Sequence, residues 1–334
     1  MITLGCIGIG DWGKNLARDF SQLNDVDLRW CCDIKESRFE AFVKLNSKTK
    51  FTKNYNDLLR DEGLDAVVVA SNASTHYTIV KEALSSGKHV FVEKPITLNS
   101  KEAEELVSLS KKMNKKLMVG HLLKYHPAVE KLKELSDSGQ LGEIYYLYSQ
   151  RVNLGRIRLD ENALWSFAPH DISVILYLLN SEPLDVSARG QFYLRNGVHD
   201  VVFVNIRFKD GKMANIQLSW LDPHKERKLT IVGSKKMVVF DDSQNTEKIK
   251  IYDKGADVKT DYESYGDSIT LRFGDITIPK INMTEPLKIE CQHFIDCIKN
   301  DKTPKTDGSD GLRVVRILEA AQKSLEKNGI PVKI

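Results

Sequence analysis

The sequence predicts an α/β protein. A doubly wound parallel sheet comes first, followed by an α+β domain with an open-faced, mainly antiparallel sheet. Three observations carry this expectation. Short apolar runs alternate with helical stretches over the first 120 residues, which is the rhythm of βαβ units. A glycine-rich turn, "GIGDWG", follows the first apolar run directly. Beyond residue 140 the candidate strands succeed one another with few helices between them, as in antiparallel sheets.

The elements follow in order. Residues 2–9 ("ITLGCIGI") read as the first strand. Residues 12–23 have helical spacing, with Leu16, Phe20 and Leu23 on one face. "VDLRWCCD" (26–33) is a second strand, "SRFEAFVKL" (37–45) a second helix, and "NYNDLLRD" (54–61) begins like a short capped helix. "DAVVVA" (65–70) is a continuous apolar run, as a strand buried on both faces requires. The next helix runs to Gly87, a suitable C-cap. "KHVFVE" is a strand, a long helix fills 99–114, and "KLMVG" (116–120) is the last strand of the parallel sheet. Right-handed crossovers connect such strands.

A helix around 125–137 opens the second part. Strands are expected at 143–153, 184–193, 198–208, 211–220, 227–232 and 235–240, with helices near 168–179, 286–299 and 308–327. Asp210-Gly211 supplies a hairpin turn between two of these strands. The polar stretch 241–285 yields no assignment. The expected domains are 1–121, a dinucleotide-binding domain, and 122–334, a substrate-binding and oligomerisation domain.

With 334 residues the chain is long enough for two domains. It is 41% hydrophobic and 28% charged, the profile of a folded soluble protein. Its net charge of +3 balances 49 basic against 46 acidic residues, which argues against a nucleic-acid partner. The N-terminus has no basic leader, and no apolar segment reaches membrane-spanning length. Cys6, Cys31, Cys32, Cys291 and Cys297 show no C-x-x-C spacing. They read as reduced thiols of a cytoplasmic protein without a metal site.

The turn from Gly8 to Gly13 fits G-x-G-x-x-G, with Asp11 and Trp12 between its last two glycines. The pattern alone is weak, but here it follows a strand and opens a helix. Gly8 permits the tight turn, Gly10 lets the backbone approach a pyrophosphate, and Gly13 lets helix and strand pack closely. The helix N-terminus then offers amide N–H groups to phosphates. Asp33 ends the next strand, where its carboxylate would receive ribose hydroxyls and repel a 2′-phosphate. NAD is therefore the expected cofactor, although Lys35 two residues on is a base able to hold a 2′-phosphate.

The stretch 67–98, "VVVASNASTHYTIVKEALSSGKHVFVEKPITL", resembles the signature of the Gfo/Idh/MocA oxidoreductases, the glucose–fructose oxidoreductase and inositol dehydrogenase group. The closing helix, "GLRVVRILEAAQKSLEKNG", is similar to that family's last helix. The resemblance implies a Rossmann domain followed by an open-faced sheet domain that often mediates oligomers, here a homodimer or homotetramer. It also implies that Ser71, Asn72, His76, Glu93 and Lys94 face the dinucleotide or the reacting carbon. A Lys ammonium in that position can hydrogen-bond a substrate hydroxyl and stabilise the alkoxide that develops as hydride leaves.

The second catalytic candidate is His170, in "LWSFAPHDISVILYLL" (164–179). Pro169 is tolerated in a first helical turn, so His170 is expected near a helix N-terminus, neutral and able to accept a proton. The resemblance implies an acid/base role for it. Many relatives carry an Asp four residues before this His; here Ser166 stands there, and Asp171 points about 100° away on a helix. Ahead of this helix lie Arg151, Arg156 and Arg158, with Asn153, Asn162 and Trp165. Arginine suits bidentate capture of carboxylate or phosphate, although such a loop can also be a solvated basic face. Arg156, Arg158, Asn162, Trp165, Lys94 and His170 are the expected substrate contacts.

Together with "GHLLKYHPAVEKLKEL" (120–135) and "SWLDPHKERKLTIVGSKKMVVFDD" (219–242), this segment resembles one branch of the family, the UDP-N-acetylglucosaminuronate 3-dehydrogenases of surface-polysaccharide synthesis. The resemblance implies NAD-dependent oxidation of a ring hydroxyl, at C3, of a UDP-linked N-acetylhexosamine or its uronate. The alternatives are a dehydrogenase of a free cyclitol or aldose and a non-catalytic dinucleotide-binding regulator. Retention of both Lys94 and His170 speaks against the regulator.

Overall fold

The computed structural model of the chain describes every residue except 44–47, 156, 159–160 and 259–268. Its contacts divide the chain into two compact units, 1–125 with 284–316, and 126–283 with 317–334. Residues 284–316 thus belong to the first unit, whereas a single boundary at residue 121 counts them with the second.

Six parallel strands form the sheet of the first unit: β1 (Ile2–Ile7), β2 (Val26–Cys32), β3 (Lys50–Thr52), β4 (Ala66–Val69), β5 (His89–Glu93) and β6 (Leu117–Gly120). Their order is β3-β2-β1-β4-β5-β6. The helices are α1 (Gly13–Ser21), α2 (Phe39–Val43), α3 (Asn56–Leu59), α4 (Ala73–Ser85) and α5 (Ser100–Lys112), joined from later in the chain by α8 (Pro286–Lys299) and the start of α9 (Gly308–Glu326). The expected second helix begins instead as a 3₁₀ turn, Glu36–Arg38, and β3 is a short edge strand that its three residues did not announce.

Every residue of β4 is buried, the condition of a central parallel strand with helices on both faces. Asn72 caps α4 and Asn99 caps α5, each side chain accepting an amide N–H of the first turn. Gly87 follows α4 at φ +74°, a conformation glycine enters without a Cβ penalty. Phe20, Phe91 and Phe294 meet edge to face at 5.8–6.2 Å and fasten α1, β5 and α8 into one core. The strand order reverses between β1 and β4, so the carboxyl ends of these two strands flank the topological switch point.

The second unit has α6 (Pro127–Asp137), α7 (Ala163–Leu179) and a nine-stranded sheet: β7 (Ile144–Val152), β8 (Pro183–Gln191), β9 (Val201–Phe208), β10 (Met213–Ser219), β11 (Glu226–Gly233), β12 (Met237–Asp241), β13 (Ile249–Val258), β14 (Ile269–Thr277) and β15 (Val332–Lys333). The order is β14-β13-β12-β11-β7-β10-β9-β8-β15, antiparallel throughout except for β7 beside β10. The stretch without a sequence assignment contains β13 and β14, an antiparallel pair on the sheet edge.

Register fixes two distinct faces, because side chains alternate along each strand. Ile206, Ala214, Leu147 and Ile231 form one row of the covered face; Val204, Ile216, Ser149 and Leu229 form the next. α7 packs on this side. The opposite face carries Tyr146, Tyr148, Phe203 and Met213, all exposed, and is the open face the sequence led us to expect. Among the described residues, no helix is long and apolar enough to cross a membrane.

Candidate active site

The first unit assembles a dinucleotide cradle. Gly8 sits at φ +89°, and a Cβ there would lie 2.7 Å from the Ser71 amide nitrogen. A Cβ on Gly13 would lie 1.9 Å from the Gly8 carbonyl oxygen. Both positions therefore exclude any side chain, and the turn after β1 presses against the end of β4. α1 starts at Gly13 with no side chain capping it and no acid in its first turn, which leaves its N-terminus suited to an anion. These features fit a bound NAD pyrophosphate.

Asp33 is buried and closes the neighbouring strand end. Its Oδ2 accepts the Ile9 amide at 3.0 Å and the Arg38 guanidinium at 2.7 Å, and its Oδ1 accepts the Lys35 amide at 2.9 Å. Lys35 thus contributes its backbone. The cation beside Asp33 is Arg38, whose guanidinium lies 3.2 Å from where a Gly10 Cβ would stand. Its position five residues after Asp33, in the turn preceding α2, was the available signal.

Glu93 and Lys94 leave the carboxyl end of β5, ahead of a cis Lys94–Pro95 peptide. Trp12 donates its indole N–H to Glu93 at 2.5 Å, and the Lys94 amide donates to the same carboxylate at 3.2 Å. The glycine turn is thereby tied to the strand end that bears Lys94. Glu93 keeps partial exposure as a residue, yet the protein around its carboxyl group pushes its pKa up, opposed by the Lys94 charge and the indole.

Ser71 and Asn72 follow β4. Ser71 shares a 2.7 Å hydrogen bond with Thr75, and the Asn72 side chain accepts the Ser74 amide as the α4 cap. His76 departs from its expected place facing the dinucleotide. It is buried, with Nδ1 2.8 Å from the Pro95 carbonyl and Nε2 3.2 Å from the Ser71 carbonyl. Both nitrogens are thus occupied by backbone, and His76 fastens the Ser71 turn to Pro95. Burial lowers its pKa, the two carbonyls oppose this, and the Lys94 charge adds to the lowering.

One cluster at the carboxyl edge was not anticipated. His121 follows β6, whose Gly120 pairs with Glu93. His121 Nδ1 donates to Asp310 Oδ2 at 2.9 Å, and Lys124 Nζ donates to Oδ1 at 2.8 Å. All three side chains are buried or nearly so. Asp310 stands 189 residues from His121, a separation that no local pattern reveals.

The second unit carries His170. α7 begins at Ala163, so Pro169 lies inside the helix and His170 about two turns from its start. The expectation of a helix N-terminus acting on His170 is therefore incorrect, since that field fades within the first turn. The helix extends further back because Asn162 caps it, accepting the Trp165 amide at 3.1 Å. Asn162 also donates to Gln322 at 3.0 Å. Trp165 is half-buried on the first turn. Asp171, beside His170, accepts Arg151 Nε at 2.5 Å. Arg158 pairs with Glu161 at 3.1 Å on a half-exposed side chain. Arg156 lies outside the described residues.

An open parallel sheet with such a turn at its switch point defines a dinucleotide-binding domain, and comparison with known proteins places the whole chain. The profile of the oxidoreductase family with NAD-binding Rossmann fold matches residues 2–121, and that of the GFO/IDH/MocA C-terminal domain matches 129–239. The chain belongs to the Gfo/Idh/MocA oxidoreductases and is an NAD-binding dehydrogenase that acts on a CH–OH group.

It is 26% identical to the myo-inositol 2-dehydrogenase of Thermotoga maritima, over 98% of this chain and 97% of that one. It is 25% identical to the UDP-N-acetylglucosamine 3-dehydrogenase of Acidithiobacillus ferrooxidans, over 93% of each. The solved structure of the latter matches with a TM-score of 0.81 at 24% identity, over 98% of both chains.

Proposed function

We propose that this dehydrogenase oxidises C3 of a UDP-linked N-acetylhexosamine or its uronate, a step in making sugars for surface polysaccharides. His170 accepts the hydroxyl proton. Lys94 hydrogen-bonds the same oxygen and stabilises its developing charge. NAD, when bound, accepts the hydride. Gly8, Gly10 and Gly13 bring the backbone to the pyrophosphate, with Asp11 and Trp12 on the turn, and Asp33 receives the adenosine ribose. Ser71, Asn72 and Glu93 line the same carboxyl edge, and Arg156, Arg158, Asn162 and Trp165 serve the sugar nucleotide.

The observation that carries the substrate reading is the arginine-rich approach to α7. Arg151 is bonded to Asp171, the neighbour of His170, and Arg158 precedes the same helix. A free cyclitol offers no anion for such residues. The activity of the Acidithiobacillus relative supports the nucleotide sugar and that of the Thermotoga relative supports the cyclitol. The deciding experiment is NADH formation with UDP-N-acetylglucosamine, its uronate, myo-inositol and scyllo-inositol. The UDP-sugars are expected to turn over with the higher kcat/KM; turnover of the inositols alone would replace this reading. The open face with Tyr146 and Tyr148 is where we place a homodimer or homotetramer contact.

A further inference from the structure

The covered face of the second sheet ends unusually. Its third row runs Val202, Leu218, Arg151, Arg227. The first two rows hold aliphatic side chains and Ser149. The third closes with two arginines directly opposite one another on β7 and β11. Like charges in that relation have Cβ atoms about 5 Å apart and destabilise a sheet. Arg227 is exposed as a residue at the start of β11, yet the protein around its guanidinium and the adjacent Arg151 hold its pKa below its ordinary value.

The local carboxylates do not neutralise the pair. Asp171 is taken by Arg151, through Nε and Nη2. Asp242 is taken by Lys248 Nζ at 3.3 Å and by His126 Nε2 at 3.4 Å. Asp171 and Asp242 are the carboxylates whose charge reaches Arg227. Among the described residues, neither they nor any other acceptor hydrogen-bonds its guanidinium. Three permanent cations (Arg151, Arg227 and Lys248) thus face two carboxylates, leaving one positive charge in excess and, on Arg227, a planar fork of N–H donors open to solvent.

We propose that Arg227 is an anion-binding residue of the substrate site, and that its ligand is a carboxylate or phosphoryl oxyanion of the sugar substrate. Asp171 locks Arg151 in place and directly follows His170 in α7, so an oxyanion on Arg227 is held beside the segment that bears the proposed base. A guanidinium receives either oxyanion through two parallel hydrogen bonds. The proposal rests on the reading of an anionic nucleotide-sugar substrate and adds the residue that recognises its charge.

The test is equilibrium binding to the NAD-loaded protein, with UDP and with glucuronate as separate probes of the phosphoryl and carboxylate sources. Arg227→Gln is expected to weaken one of them by about 10- to 100-fold, the worth of a charge-assisted hydrogen bond, while NAD affinity holds. Arg227→Lys keeps the charge and is expected to recover part of the loss. Removing one of two opposed arginines should also leave the melting temperature unchanged or raised. The preferred probe should raise the melting temperature of the unmodified protein more than that of Arg227→Gln.

Equal binding of both probes by the unmodified protein and Arg227→Gln, or binding of neither by the unmodified protein, overturns the proposal. A lower melting temperature in Arg227→Gln with unchanged probe affinity also overturns it, since that is the signature of a structural arginine. If a probe binds through Arg227 but no UDP-sugar is oxidised, the anion site stands and the substrate reading fails.

Discussion

Arg38 Nη1 lies 2.7 Å from Asp33 Oδ2. The acid expected to exclude a 2′-phosphate therefore has its charge matched by the residue best suited to bind one. NAD remains favoured, because a carboxylate at the end of the second strand repels a 2′-phosphate. Asp33→Ala releases Arg38 and should raise NADP affinity about tenfold relative to NAD, the value of one charge-assisted hydrogen bond. Arg38→Ala leaves Asp33 unpaired and should widen the preference for NAD. Dissociation constants for both dinucleotides check this; an unchanged ratio in both variants would mean that neither side chain reads the ribose.

Glu290 places both carboxyl oxygens in the first unit's core, where neither has a hydrogen-bond partner among the described residues. Its pKa is pushed well above the ordinary 4.5 by burial, with Glu93 adding to the rise. Above that ordinary value the unfolded chain gives up the proton while the folded protein keeps it. Stability is then fully present below about pH 4.5 and falls as pH rises towards the folded pKa, by about 1.4 kcal/mol per unit for this group. Glu290→Gln has no proton to lose. Denaturant unfolding between pH 5 and 8 should show a flatter pH slope in the variant; parallel slopes would contradict the assignment of a neutral Glu290.

Asp310 shows the opposite sign. Burial raises its pKa, but His121 and Lys124 outweigh burial and hold it below the ordinary 3.8. Its contribution is present above the unfolded value and is lost as pH falls through the folded one. Asp310→Asn removes the negative charge beside the buried Lys124 ammonium and leaves one carbonyl acceptor where His121 and Lys124 each had an oxygen, and should cost about 3–5 kcal/mol. Urea unfolding at neutral pH measures this; a loss under about 1 kcal/mol would show that water supplies the missing acceptor.

The parts legible in the sequence are those that local chemistry dictates. "GIGDWG" is readable because no side chain fits at Gly8 or Gly13, and "AVVV" because a strand covered on both faces has no polar positions. The parts that stayed hidden depend on distant segments. Asp310 reaches His121 across most of the chain, and Arg227 meets Arg151 only through sheet register. Helix α7 shows a different limit. Pro169 looks like a starting residue, but Asn162 caps the helix two turns earlier, and the stronger cap sets the start. β14 was obscured by its exposed edge position, where no buried face imposes apolar alternation.

The central claim is that Lys94 and His170 act on one substrate hydroxyl. The most direct measurement is single-turnover NADH formation with UDP-N-acetylglucosamine or its uronate bound, in Lys94→Met, His170→Asn and the double variant. Each single change should leave NAD binding intact and slow hydride transfer by roughly 10²–10⁴-fold, the usual worth of acid–base or charge stabilisation. The two losses should not multiply, because the groups serve one proton path. An unaltered rate in Lys94→Met would contradict the account and leave Lys94 as a charge at the end of a strand.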